Sequence, residues 1–161
     1  MHENRILIHK LKNFENINSN FLIITLMLFG SILLAISAKV QVPFWPVPMT
    51  MQTFVIFLIG MTYSVRLSFA TVAFYLFQGA IGLPVFAAGG GVAYLVGPTA
   101  GYLYGMLFAS IVISYLANLG FSKTYFKATL SLLIGSIIIF LFGIIYLGYI
   151  IGFEKAVAAG L

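Results

Sequence analysis

Acid–base and nucleophilic chemistry needs carboxylates, imidazoles or thiols brought together, and this chain of 161 residues offers almost none. It has no Asp and no Cys, its Glu residues stand only at 3, 15 and 154, and both histidines, His2 and His9, lie in a polar N-terminal stretch. Paired carboxylates, a Ser/His/Asp set or a metal-ligand cluster cannot be assembled from that inventory, so the sequence reads as a non-enzyme with no metal and no cofactor. A nucleotide site is missing too. Gly89, Gly90 and Gly91 are not followed by Lys-Ser/Thr, no lysine occurs between Arg66 and Lys123, and Tyr94 stands where a dinucleotide fingerprint needs its third glycine. The glycines instead allow backbone to approach a ligand or a neighbouring helix closely.

What remains is recognition by neutral polar groups. Gln52, Thr53, Tyr75 and Gln78 interrupt otherwise apolar runs. Unpaired amides and hydroxyls are costly in such surroundings, so these side chains either bond across helices or face a small ligand with polar edges. Tyr75 and Gln78, three apart, share one helix face. Lys39 ends the first apolar run, where it can snorkel to lipid headgroups or meet a ligand carboxylate. The segment QVPFWPVPMTMQTF, residues 41–54, places three prolines and the only tryptophan between Pro43 and Pro48. Such a loop is stiff and needs few backbone partners, and Phe44 and Trp45 give it apolar cover.

The elements that must position these residues belong in lipid. Hydrophobic residues make up 62% of the chain and charged ones 7%, against about a quarter in soluble domains. Mean hydropathy is +1.13. The net charge of +5 does not indicate nucleic acid, because the basic residues stand at the ends of apolar runs and form no patch. The fold class expected is all-α, a polytopic helical bundle in the cell membrane with five transmembrane helices. Residues 1–20 form a polar tail, in which Leu7, Leu11 and Phe14 recur at helical spacing and suit either a short interfacial helix or a frayed end. Residues 21–161 form the membrane-embedded domain.

The first uncharged run, Phe21–Ala38, would span roughly 27 Å as a helix. It follows a basic tail as a signal peptide does, but it is longer than the usual apolar region of such a peptide, and further spans follow. Met49–Val65 and Leu67–Gly82 form a hairpin with Arg66 at the turn. Residues 83–97, apolar but glycine-rich, suit irregular backbone covered by protein. Pro98 fits the first turn of a fourth helix to about Leu119, and Ala128–Phe153 is the fifth span. With the N-terminus cytoplasmic, Arg5, Lys10, Lys12, Arg66, Lys123 and Lys127 are inside, and only Lys39 and Lys155 are outside. Both proline- and glycine-rich segments then face outward. Small residues at intervals of four, Gly101–Gly105–Ala109, Gly148–Gly152 and Ser31–Ala35, allow close helix contact, either within the chain or, at Ser31 and Ala35, against a partner subunit.

Three segments in succession, PVPMTMQTF (46–54), GAIGLPVFAAGGG (79–91) and GPTAGYLYG (97–105), resemble signatures of the BioY family, the biotin-binding S components of energy-coupling-factor transporters. The resemblance runs from about residue 21 to the end. It implies six membrane helices, biotin as substrate in a pocket near the outer face, and as partners a transmembrane coupling subunit and two cytoplasmic ATPases. It further implies an acidic and a basic ligand-binding residue on the sixth helix, and this sequence ends at EKAVAAGL, just before that helix would begin, as a truncated product would. Weakened biotin binding is the expected consequence. By this resemblance the pocket comprises the Pro43–Thr53 segment, Tyr75, Gln78 and the Phe86–Gly91 loop. Gln52, Thr53 and Gln78 would meet the ureido edge. Phe44, Trp45, Tyr75 and Phe86 would cover the apolar body, with Gly89 and Gly90 close by and Lys39 a candidate for the carboxylate.

Overall fold

The computed structural model describes residues 19–160; the expected tail helix around Leu7, Leu11 and Phe14 lies outside them. Helix α1 (Ser19–Lys39) leads into a β-hairpin, β1 (Gln41–Val42) paired antiparallel with β2 (Met49–Thr50). Then come α2 (Gln52–Thr62) and α3 (Val65–Ala80), the single turn α4 (Val92–Leu95), and α5 (Ala100–Asn118). A 3-10 turn (Phe121–Lys123) leads into α6 (Tyr125–Ile151), and α7 (Phe153–Gly160) follows. The chain is a helical bundle, with the small hairpin and an isolated Phe86–Gly89 bridge as its β pairing among the described residues.

Among the described residues three helices, α1, α5 and α6, are long and apolar enough to cross a membrane. Helix α6, with 27 residues, is about 40 Å long and exceeds the hydrocarbon core unless it tilts. Its ends carry bare aromatic rings, Tyr125 and Phe126 at one and Tyr149 at the other, as interfacial belts do. The second apolar run yields a helix of only 11 residues, about 16 Å, because Met49 and Thr50 are used as a strand and helical backbone starts at Gln52. Tyr63 and Ser64, both extended, separate α2 from α3. Helix α5 begins at Ala100, so Pro98 falls before the helix and not in its first turn. Helix α7 begins at Phe153, directly after Gly152, whose φ of 89° ends α6.

The small-residue stripe of α5 is the seam against α6. A Cβ on Gly101 would lie 2.4 Å from Tyr146 Cβ, and one on Gly105 would lie 2.9 Å from the Ile139 backbone. The other helices are tied by hydroxyls bonding to backbone carbonyls. Ser114 donates to Tyr63 O (2.5 Å), Ser68 to Ser110 O (3.2 Å) and Tyr63 Oη to Leu26 O (2.9 Å). In an apolar solvent such bonds and close packing replace the hydrophobic drive that joins helices in water.

Candidate functional site

At the end of the bundle where α1 finishes and α2 begins, a cavity of about 410 Å³ opens beneath the hairpin. The hairpin roof gives Phe44, Trp45, Val47, Pro48, Met49 and Thr50. Gln52 and Thr53 enter from the first turn of α2, Ala87 and Tyr94 from the segment after α3, and Thr99 from the entry to α5. Tyr102, Leu103 and Met106 of α5 and Ile139 and Phe140 of α6 complete the wall. Its polar groups are all neutral. The volume lies within the roughly 300–1,000 Å³ usual for small-molecule sites.

The roof is seated by the pattern of prolines. Pro43, Pro46 and Pro48 lack N–H groups, so only the residues flanking them pair as a ladder, Gln41 with Thr50 and Val42 with Met49. Trp45, 90% exposed, stands at the rim. A polar relay then joins roof to wall: Thr50 Oγ1 donates to Gln52 Oε1 (3.1 Å), Gln52 Nε2 to Tyr75 Oη (2.7 Å), and Tyr75 Oη to Val85 O (3.0 Å). Gln52 thus reaches the cavity while buried. One N–H of its amide serves Tyr75.

Of the sequence-derived site residues, Phe44, Trp45, Gln52 and Thr53 line the cavity together. The remaining ones do not line it. Tyr75 and Phe86 are buried in the core, edge to face at 5.5 Å, and Phe86 stacks at 4.9 Å on Tyr94, which does reach the cavity. Gln78 is set apart from it, its Oε1 accepting from the Ser31 hydroxyl. Lys39 also lies outside: its Nζ donates to Phe86 O (2.6 Å), and Gln41 Nε2 donates to Ala87 O (3.4 Å), so the two irregular segments are stitched at one end of the bundle. Gly89 and Gly90 shape the loop. Gly89 takes φ 144° and pairs with Phe86 in an isolated bridge, and a Cβ on Gly90 would lie 2.0 Å from Leu83 O. Of the two readings of the small-residue stripe on the first helix, the contacts inside the chain are the ones seen. Ser31 is fully buried and Ala35 packs on the core, because their stripe faces Gln78 and the bundle.

The profile of the BioY family matches residues 10–161. The chain belongs to the BioY family. It is 35% identical to the probable biotin transporter BioY of Rickettsia prowazekii over 89% of this chain and 74% of that one. With the biotin transporter BioY of Thermotoga maritima it shares 38% identity, over 80% of this chain and 76% of the relative. In fold it is similar to the S-component for biotin from an ECF-type ABC transporter, with a TM-score of 0.78 and 24% identity over 91% of this chain and 82% of that structure.

In this BioY-family chain, sequence reasoning missed most of the cavity's far wall: Tyr94, Thr99, Tyr102, Leu103, Met106, Ile139 and Phe140. Part of the signal was present, since Thr99, Tyr102 and Leu103 lie inside the GPTAGYLYG segment. Ile139 and Phe140 carry none, being two apolar residues in a long apolar helix.

Proposed function

We propose that this chain is the biotin-capturing membrane subunit of an energy-coupling-factor transporter, working with a transmembrane coupling subunit and two cytoplasmic ATPases. The observation that carries the reading is the roofed cavity, mostly apolar with a few neutral polar groups converging on it. Biotin has an apolar bicyclic body, a neutral ureido edge and one carboxylate. A lining without ionised side chains suits the body and the ureido edge, while the carboxylate would stay near the mouth, where water reaches it. Titration calorimetry of the full chain in lipid nanodiscs tests this. One biotin should bind per chain, and other free vitamins should not. Binding of another vitamin in place of biotin would make the chain a sibling S component, and no binding at all would favour a scaffold role.

The N-terminus is placed in the cytoplasm and the cavity outside, with residues 1–20 as the cytoplasmic tail and the rest as the substrate-binding domain; the basic residues support this. Because the chain has no cysteine, single replacements report cleanly. Val42→Cys, on the exposed hairpin, should react with an impermeant thiol reagent on intact cells, and Ser64→Cys, in the turn before α3, only after permeabilisation. The opposite pattern would invert the topology.

Lys39 separates two roles. Its Nζ holds the Phe86 carbonyl, so Lys39→Met should weaken biotin and biotin methyl ester by the same factor, about tenfold or less for one partly exposed charged hydrogen bond. A loss confined to free biotin would assign the ammonium to the carboxylate.

A further inference from the structure

We infer that the end of the bundle opposite the cavity binds the headgroup of an anionic phospholipid through Arg66, Lys123 and Lys127, whatever vitamin the cavity takes. Three elements bring these cations to one end. Ser114 of α5 donates to Tyr63 O (2.5 Å), which holds the turn between α2 and α3, and Arg66 just after it, beside the last turns of α5. Helix α5 ends at Asn118, and Lys123 closes the 3-10 turn that follows. Lys127 lies in the first turn of α6. All three side chains are exposed.

Nothing among the described residues answers these charges. None of the three side chains makes a hydrogen bond or an ion pair there, and the one described acid, Glu154, follows the far end of α6, about 40 Å away. Capping of helix carbonyls, a common task for lysines in such a place, is already filled. Gly120 N donates to Ala117 O (3.0 Å), the Ser122 hydroxyl to the same carbonyl (3.4 Å), and Lys123 N to Gly120 O (3.1 Å). Lys127 Nζ rests 5.8 Å from the centre of the Phe121 ring, which orients the ammonium without neutralising it. The neighbouring aromatics fix the depth. Tyr125 (95% exposed) and Phe126 (78%) stand between the two lysines at the start of α6, and bare rings at the end of a membrane helix sit at headgroup level. The ammonium groups beside them therefore meet phosphates. A zwitterionic lipid brings its own cation with its phosphate, whereas phosphatidylglycerol brings net negative charge, so the unanswered cations select the anionic lipid.

Native mass spectrometry of the full chain in detergent is the test, with dioleoyl-phosphatidylglycerol and dioleoyl-phosphatidylcholine titrated separately. The unaltered chain should bind the anionic lipid roughly tenfold more tightly or better. Arg66→Gln, Lys123→Gln and Lys127→Gln should each lower that affinity about fivefold and leave phosphatidylcholine binding unchanged. Lys155→Gln removes an equal charge beyond the other end of α6 and should change neither. Lys123→Arg combined with Lys127→Arg should keep the preference, since the charge stays. Equal affinity of the unaltered chain for both lipids would overturn the site. So would a loss in Lys155→Gln as large as in Lys127→Gln, which would reduce the effect to net charge. Unchanged lipid binding in the triple glutamine variant, with loss of co-purifying ATPase subunits, would make this end a protein dock and overturn the lipid site.

Discussion

Gly79→Ala is expected to lower the melting temperature of the chain by roughly 6–12 °C and to weaken biotin binding more than tenfold. The added methyl would lie 1.9 Å from Phe86 Cζ and 2.2 Å from Cε2, inside any allowed contact. Phe86 is fully buried between Tyr75 and Tyr94 and cannot yield without leaving both rings. The cost lies between that of overpacking, about 1–3 kcal/mol, and that of removing a core phenylalanine, about 3–5 kcal/mol. About 3 kcal/mol gives the stated shift at roughly 2–4 °C per kcal/mol for a domain of this size. Binding suffers because Tyr94, stacked on Phe86, is part of the cavity wall. Adding Phe86→Leu, which removes Cζ, should restore part of the lost stability. A Gly79→Ala chain that melts like wild type would show that the loop is free to shift away.

The second large effect belongs to the relay Thr50–Gln52–Tyr75–Val85. Gln52→Ala leaves the Thr50 hydroxyl and the Tyr75 oxygen each short of a partner, and Tyr75→Phe strands the Gln52 amide and the Val85 carbonyl. Each should cost about 1–3 kcal/mol of stability. The double variant should cost about 1 kcal/mol less than the sum, since either change alone breaks the shared bond. Binding separates the two. Gln52 lines the cavity and Tyr75 does not, so Gln52→Ala should lose more than tenfold in biotin affinity and Tyr75→Phe clearly less. Equal losses would mean that Gln52 acts only through Tyr75, holding the wall and never meeting ligand. Additive stability costs would mean that the relay is not a unit.

Lipid as solvent, helices as the element and the break at 41–48 were legible in the sequence, because each follows from local composition. A run of uncharged residues must satisfy its backbone internally, and prolines without N–H groups must interrupt it. The family was legible as well, from three short segments in order. The cavity residues Phe44, Trp45, Gln52 and Thr53 could be named because they sit in or beside the interruption itself.

Which way a residue faces within a helix was not legible, since in lipid both faces are apolar and no hydropathy contrast marks the inner one. Tyr75 and Gln78 share a face by spacing, yet Tyr75 joins the relay to Gln52 while Gln78 is engaged by Ser31 of α1. Lys39 was free on paper to meet a carboxylate, but the loop after α3 returns to place the Phe86 carbonyl 2.6 Å from its ammonium. Ile139 and Phe140 became cavity wall because Gly101 and Gly105 let α6 approach α5 at backbone distance. The sequence by itself determined that helices form, where they break and which neutral polar groups interrupt the apolar runs. Only the tertiary structure decided which of those groups reach the cavity, because that depends on helix rotation and on close approach between elements far apart in the chain.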